Sequence, residues 1–275
     1  MRKKMTIREA IVLVILSALA CMTLFPLLFM ILTTFKTRDE YLTGLFDWPR
    51  QFSFRNYGIV LDSFDFFRMN LNSLIVTASA VALSLLVTSM LGYSLSKINF
   101  SGKKIVFGLV VSGMFMPGQV LIIPVYSIMI KLHLVNSYLG LVLFYVATSV
   151  SFGTFLMIAN LKGMPNELIE SGKIDGAGLF RIYWSIALPM LAPTLATAAI
   201  LNFISYWNEL LYAMVLLQKE DMRTVTVGVT SLANRFGGNA PLLYAGLLLS
   251  SLPVMIIFFG FQKYLVKGIS GGAVK

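Results

Sequence analysis

Six long stretches of this chain carry almost no charge, and that property narrows its possible folds to one class. They lie near residues 10 to 33, 72 to 96, 105 to 130, 137 to 161, 187 to 216 and 241 to 263. Each reaches the roughly 20 residues that an α-helix needs to cross a hydrocarbon core about 30 Å thick. No water is present in such a core to satisfy exposed backbone groups, so only helices and closed barrels can cross it. Runs such as LIVTASAVALSLLVTSMLGY are apolar or small throughout rather than alternating with period two, which argues against barrel strands. Composition agrees: 12% of residues are charged, against roughly 25% in soluble domains. The expectation is an all-α polytopic membrane protein, six transmembrane helices forming a single domain over residues 1 to 275.

Lys and Arg set the orientation, because acids contribute little to the positive-inside bias. Placing Arg2, Lys3, Lys4 and Arg8 in the cytoplasm also puts Lys97, Lys103, Lys104, Lys162, Lys173, Arg181, Lys263, Lys267 and Lys275 inside. That is thirteen cations inside against nine outside, five of the latter in the long 34 to 71 loop. Both termini are therefore expected to be cytoplasmic. The first apolar run is of spanning length and is followed by no small-x-small pattern, so it reads as a retained helix rather than a cleaved signal. The formal charge of +10 comes from cations that flank apolar helices. They do not form a stripe with aromatics between them, so membrane anchoring explains them and nucleic acid is not an expected partner.

Little enzymatic chemistry is available to this chain. It has one histidine, His133, and one cysteine, Cys21, too few for a His/Cys metal cluster or a Cys/His nucleophile pair. His133 reads as a loop residue at the outer interface, and Cys21 as a small buried apolar residue of the first span. No G-x-x-x-x-G-K-[ST] phosphate loop occurs; Gly102-Lys103 and Gly172-Lys173 lack both the upstream glycine and the hydroxyl residue. If ATP drives this protein, another subunit binds it. An ion-coupled carrier would want ionisable groups at membrane depth, yet of twelve acids only Glu209 lies within an apolar run. Asn202, Ser205, Asn208 and Glu209 fall three and four residues apart and share a helix face. That face could line a solute path; the alternatives are bonds across helices, or a place for Glu209 near the outer interface with Trp207 and Tyr212.

Residues 165 to 193, PNELIESGKIDGAGLFRIYWSIALPMLAP, are more patterned than a simple connector needs to be. Pro165 suits a helix start, and Glu167 and Glu170 then lie in early turns, where the helix dipole favours anions. Asp175-Gly176-Ala177-Gly178 should break that helix. The apolar-aromatic run Leu179 to Trp184 suits a membrane surface, and Leu188-Pro189 opens the fifth span. Leu168, Ile169 and Ile174 among acids suggest a contact with another protein.

These residues resemble the inner-membrane permease subunits of binding-protein-dependent ABC importers, specifically the maltose-type sugar permeases. That family's cytoplasmic signature reads E-A-A, D-G-A, about eight residues, then I-x-L-P. It appears here as Glu170-Ser171-Gly172, Asp175-Gly176-Ala177 and Ile186-Ala187-Leu188-Pro189, with both alanines after the glutamate replaced. Trp48-Pro49, Asn56-Tyr57, Asn72-Ser73-Leu74, Tyr206-Trp207-Asn208-Glu209 and Gly272-Ala273-Val274-Lys275 also look like family positions. The resemblance implies a transport subunit that is not itself an enzyme, in a bacterial or archaeal cytoplasmic membrane. It implies as partners an ABC ATPase dimer that binds ATP and Mg, a second permease that is a different chain, an extracytoplasmic solute-binding protein and a sugar. The 165 to 189 segment would be a coupling helix between helices 4 and 5, with Glu167, Leu168, Ile169, Glu170, Ile174, Asp175, Gly176 and Ala177 meeting the ATPase. Glu170 would be its anchor and Gly176 its elbow. The loop before the last span, Leu232 to Asn239, would reach the binding protein through Asn234, Arg235, Gly237 and Gly238, and the Ile269 to Lys275 tail would contact the ATPase dimer. Competing readings are a permease for a non-sugar solute such as a polyamine, a stand-alone secondary carrier and a membrane scaffold.

Overall fold

A computed structural model describes residues 6–63 and 65–270, with the backbone alone at 232–234 and 263–270. Helices dominate the described residues. In chain order they are α1 (Ile7–Thr33), α2 (Arg38–Thr43), α3 (Arg55–Ser63), α4 (Phe66–Lys97), α5 (Lys103–Ser112), α6 (Ile122–Lys131) and α7 (Tyr138–Lys162). They continue as α8 (Glu167–Ile174), α9 (Leu179–Ile182), α10 (Leu188–Met190), α11 (Ala192–Trp207), α12 (Leu211–Leu216), α13 (Val225–Arg235) and α14 (Ala240–Ser270). The described residues pack as two compact units, one falling within 1–66 and 228–251, the other within 67–227 and 252–275.

Four apolar runs fold as continuous helices long enough to cross a membrane: α1, α4, α7 and α14. The other two are broken, which corrects the expectation of unbroken spans at 105 to 130 and 187 to 216. In the first, Lys103–Phe115 and Gly118–Lys131 meet at 98°. Pro117 has no N–H and disfavours helical geometry in the residue before it; Met116 is accordingly extended, at φ −86° and ψ 115°. In the second, Leu179–Met190 and Ala192–Trp207 meet at 74°, between Pro189 and Pro193. The N–H of Leu188 reaches back five residues to Tyr183 O, widening the turn just ahead of Pro189. The chain leaves the helix again after Trp207 and resumes at Leu211. Counting each bent pair as one crossing gives six.

In the first unit, α1 opens with a capping box: Glu9 N donates to Thr6 Oγ1, and Thr6 N to a Glu9 carboxylate oxygen. Cys21 is exposed on α1 rather than buried. The segment after α1 is ordered around Lys36, whose Nζ is buried and donates to the carbonyls of Gly44 and Leu45 at 2.9 and 3.0 Å. Asn56 Nδ2 ties the same knot by donating to Thr34 O and Lys36 O. An unpaired polar group buried without such bonds costs several kcal/mol in order of magnitude, so these carbonyl partners are what permit the lysine there.

In the second unit, one core gathers α4, α7, α11 and α12 around Val76, Leu141, Tyr145, Tyr206 and Leu216. A second core gathers Tyr93, Met157, Leu161, Ile169, Ile182, Tyr183 and Leu191, and it places the patterned 165 to 193 segment against α4 and α7.

Candidate coupling surface and cleft

The 165 to 193 segment folds as a short helix, a glycine turn and a widened second helix. α8 begins at Glu167, with Pro165 one residue ahead of its cap Asn166 rather than in its first turn. Ile169 N and Glu170 N both donate to Asn166 O. The helix ends in a Schellman motif: Ala177 N donates to Gly172 O at 2.9 Å and Gly176 N to Lys173 O at 3.0 Å. Gly176 takes φ +76°, a left-handed geometry that costs a residue with a Cβ roughly 1 to 2 kcal/mol. The elbow expected at Gly176 is therefore a helix cap with a defined conformation.

α8 has two faces. Glu167, Leu168, Glu170, Ile174 and Asp175 are exposed, Ile174 at 86%. Ile169 and Gly172, three residues apart, are buried. Ile169 is thus corrected as an outward apolar contact: at 5% exposure it belongs to the second core, leaving Leu168 and Ile174 as the outward apolar groups. Ala177 is half-buried against that core. Gly172 has a packing reason to depart from alanine, since a Cβ there would lie 3.0 Å from Ile186 Cδ1 and 3.3 Å from Ile182 Cγ1.

Three α4 residues spaced four apart fasten this segment. Ser89 Oγ and Tyr183 OH are 2.8 Å apart, Tyr93 OH donates to Leu179 O at 3.3 Å, and Lys97 Nζ donates to Met164 O at 2.7 Å and Asn166 Oδ1 at 2.9 Å. Positions four apart lie on one helix face. The sequence reading missed all three, although an i, i+4, i+8 polar stripe in an apolar run is a signal that could have found them. At the other end of α4, Asn72 Nδ2 donates to the carbonyls of Asp221 and Arg223, and Asn72 Oδ1 accepts from Tyr138 OH.

The four polar residues of the fifth run do not act as one face. Asn202 Nδ2 donates to Ser84 Oγ at 3.1 Å, a bond from α11 to α4. Asn208 Nδ2 donates back to Ile204 O. Ser205 and Glu209 line an open cleft of about 210 Å³ with Gly118, Gln119, Tyr145 and Thr148. The chain is non-helical at 208–210, and this break creates orphan amides at the start of α12. Glu209 fills that need: Oε1 accepts from Tyr212 N at 2.9 Å, and Oε2 from Ala213 N at 2.9 Å and Tyr145 OH at 3.1 Å. Tyr145 stacks on Tyr206 at 4.8 Å and Phe144 on Tyr212 at 3.6 Å, so aromatic pairs back the cleft.

Near the end of α13 the structure differs from the expected loop over Leu232 to Asn239, because residues through Arg235 are helical. Arg235 Nη1 donates to Ser63 O at 2.9 Å, and Arg38 Nη2 to Gly237 O at 3.3 Å. Gly237 and Gly238 both take positive φ, +58° and +74°, forming a tight turn. The side chain of Asn234 and the last five residues of the tail, Gly271 to Lys275, lie outside the described residues.

Comparison with known proteins joins these parts. Residues 85–271 match the family described as binding-protein-dependent transport system inner membrane component. The chain belongs to that family. As a member of it, the protein is the permease component of an ABC transporter, a transport subunit and not an enzyme. Among similar permeases, the arabinooligosaccharides transport system permease AraQ of Bacillus subtilis (strain 168) is 33% identical, with 94% of this chain and 92% of that one covered. The melibiose/raffinose/stachyose import permease MelC of the same strain is 28% identical, with both chains covered in full. A crystal structure of a bacterial ABC transporter involved in the import of the acidic polysaccharide alginate matches this permease at a TM-score of 0.82 and 25% identity, covering 94% of this chain and 96% of that one. A second alginate transporter structure, in complex with an alginate pentasaccharide-bound periplasmic protein, shares the fold at a TM-score of 0.62 and 14% identity.

Proposed function

We propose that this permease carries a sugar or oligosaccharide through a bacterial or archaeal cytoplasmic membrane, as one of two different permease subunits around a shared path. An extracytoplasmic solute-binding protein delivers the solute, and an ABC ATPase dimer, which binds the ATP and Mg, drives the cycle. The observation that carries the sugar assignment is near full-length similarity to permeases named for arabinooligosaccharides and for melibiose, raffinose and stachyose. Both compact units serve one permease domain, the two bent helix pairs complete six crossings, and both termini are cytoplasmic.

ATP binding closes the ATPase pair and moves α8 through its exposed face, with Glu170 as the anchoring carboxylate, Glu167 and Asp175 beside it, and Leu168 and Ile174 as apolar contacts. The Gly176 cap and half-buried Ala177 pass that motion to α9 and onward through the 74° bend into α11. A partner can shift such an equilibrium only through contacts that differ between its two states, and an exposed helix face provides them. Ser205 and Glu209 contribute to the solute path, with Asn202 and Asn208 supporting it. Arg235, Gly237 and Gly238, with Asn234, form the contact for the binding protein.

The decisive experiment is purification from the native membrane with identification of bound partners, followed by ATP-dependent uptake of candidate sugars in proteoliposomes. Recovery of an ATPase, a second permease and a binding protein, with sugar flux, is expected. Flux by this chain alone, driven by an ion gradient, would overturn the assignment.

A further inference from the structure

The cleft beside Glu209 has a chemistry that selects among solutes. Among the residues that line it there is no Lys or Arg, and Glu209 is the one charged group. Gln119, Thr148 and Ser205 are exposed at its wall. The amide of Gln119 and the hydroxyl of Ser205 have no hydrogen-bond partner among the described residues, while Thr148 Oγ1 donates to Tyr145 O at 2.9 Å and keeps its acceptor capacity. An ionised carboxylate offers about four acceptor positions. Three of those on Glu209 are taken by Tyr212 N, Ala213 N and Tyr145 OH, which leaves room for one more donor.

Resting on the sugar-permease reading above, we infer that this cleft is a half-site for an uncharged sugar ring and works against acidic sugars. Neutral hydroxyls find an amide, two hydroxyls and one free carboxylate position, over a floor of buried aromatic pairs. A uronate would bring a second negative charge beside Glu209 with no cation lining the cleft, and like charges in surroundings of low dielectric are strongly disfavoured. A polyamine would need the carboxylate as its counter-ion, but that carboxylate is largely committed to capping α12. The cleft, at about 210 Å³, is smaller than the roughly 300–1,000 Å³ of a self-sufficient small-molecule site. It therefore holds part of a solute, and the remainder of the site lies on another surface, such as the second permease. Glu209 acts here mainly as a positioning residue that fixes the Tyr145 ring and the start of α12.

The test is uptake by the intact importer in proteoliposomes, with its own binding protein, using a panel of neutral trisaccharides (maltotriose, raffinose, arabinotriose), trigalacturonate and spermidine. ATP-dependent uptake of a neutral probe and exclusion of the other two are expected. Gln119→Ala and Ser205→Ala should each raise KM for that probe roughly 2- to 10-fold, the range for losing one neutral hydrogen bond. Thr148→Lys should weaken neutral uptake and admit trigalacturonate. Transport of trigalacturonate or spermidine by the wild-type importer, or unchanged KM in all three variants, overturns the half-site while leaving the permease assignment standing. Absence of any ATP-dependent flux with every partner present removes both.

Discussion

Glu170 and Gly176, six residues apart, carry opposite kinds of constraint. Glu170 is exposed, so Glu170→Ala should leave folding and membrane insertion intact and abolish uptake; normal transport in that variant would sink the coupling assignment. Gly176 is constrained by its own backbone, at φ +76°. Gly176→Ala should cost roughly 1 kcal/mol in α8 stability and lower uptake in part. Gly176→Pro, which cannot reach that φ and removes the N–H bonded to Lys173 O, should abolish uptake while the protein still inserts. Gly172 offers a finer test. Gly172→Ala gains about 1 kcal/mol of helix propensity but drives a Cβ toward Ile186 Cδ1. Adding Ile186→Val removes the obstructing atom, so the double variant should be more thermally stable than the sum of its single effects predicts, a coupling measurable by a double-mutant cycle. Strict additivity would show that the contact imposes nothing.

At the scale of elements, the bonds from Ser89, Tyr93 and Lys97 make α4 as much a part of the proposed coupling apparatus as α11. Lys97→Met removes both bonds that hold the start of α8 while preserving the apolar stem. The expected outcome is uncoupling, read as fewer sugar molecules carried per ATP hydrolysed by the assembled importer; an unchanged ratio would assign Lys97 to stability alone. Tyr183→Phe, which deletes one bond to Ser89, should cost about 1 kcal/mol of stability. The elements also show what the sequence made legible. Apolar length located the four helices long enough to cross a membrane and the two bent pairs, and Asp175-Gly176-Ala177 located the turn after α8, because length and glycine chemistry are local properties. The bends near Pro117 and Leu191 were not legible from Pro alone: neighbouring helices can re-satisfy freed backbone groups, and α1 and α14 each contain a proline and stay continuous. Glu209 was singled out as an acid in an apolar run, yet its partners include amides of α12 that exist only once the chain has broken after Trp207. The inward turn of Ile169 depends on packing against Ile182 and Tyr183, residues whose placement follows the glycine turn.

At the scale of the whole molecule, the orientation expected from Lys and Arg can be read by labelling. In a Cys21→Ser background, Ile174→Cys should react with an impermeant thiol reagent only from the cytoplasmic side, and Gly237→Cys only from the opposite side. Labelling of both from one face would invalidate the proposed topology. α4 has a consequence at this scale that its bonds alone do not convey. About 24 residues separate Asn72 and Ser73, which hold the 221 to 225 segment, from Lys97, and at 1.5 Å per residue that is ~36 Å of rigid rod. A tilt of about 5° at the Lys97 end would swing the Asn72 end by roughly 3 Å over such a length. In the proposed cycle, a nudge at the α8 end would thereby be geared up into a stroke at the far end of α4, with a single helix as the crank.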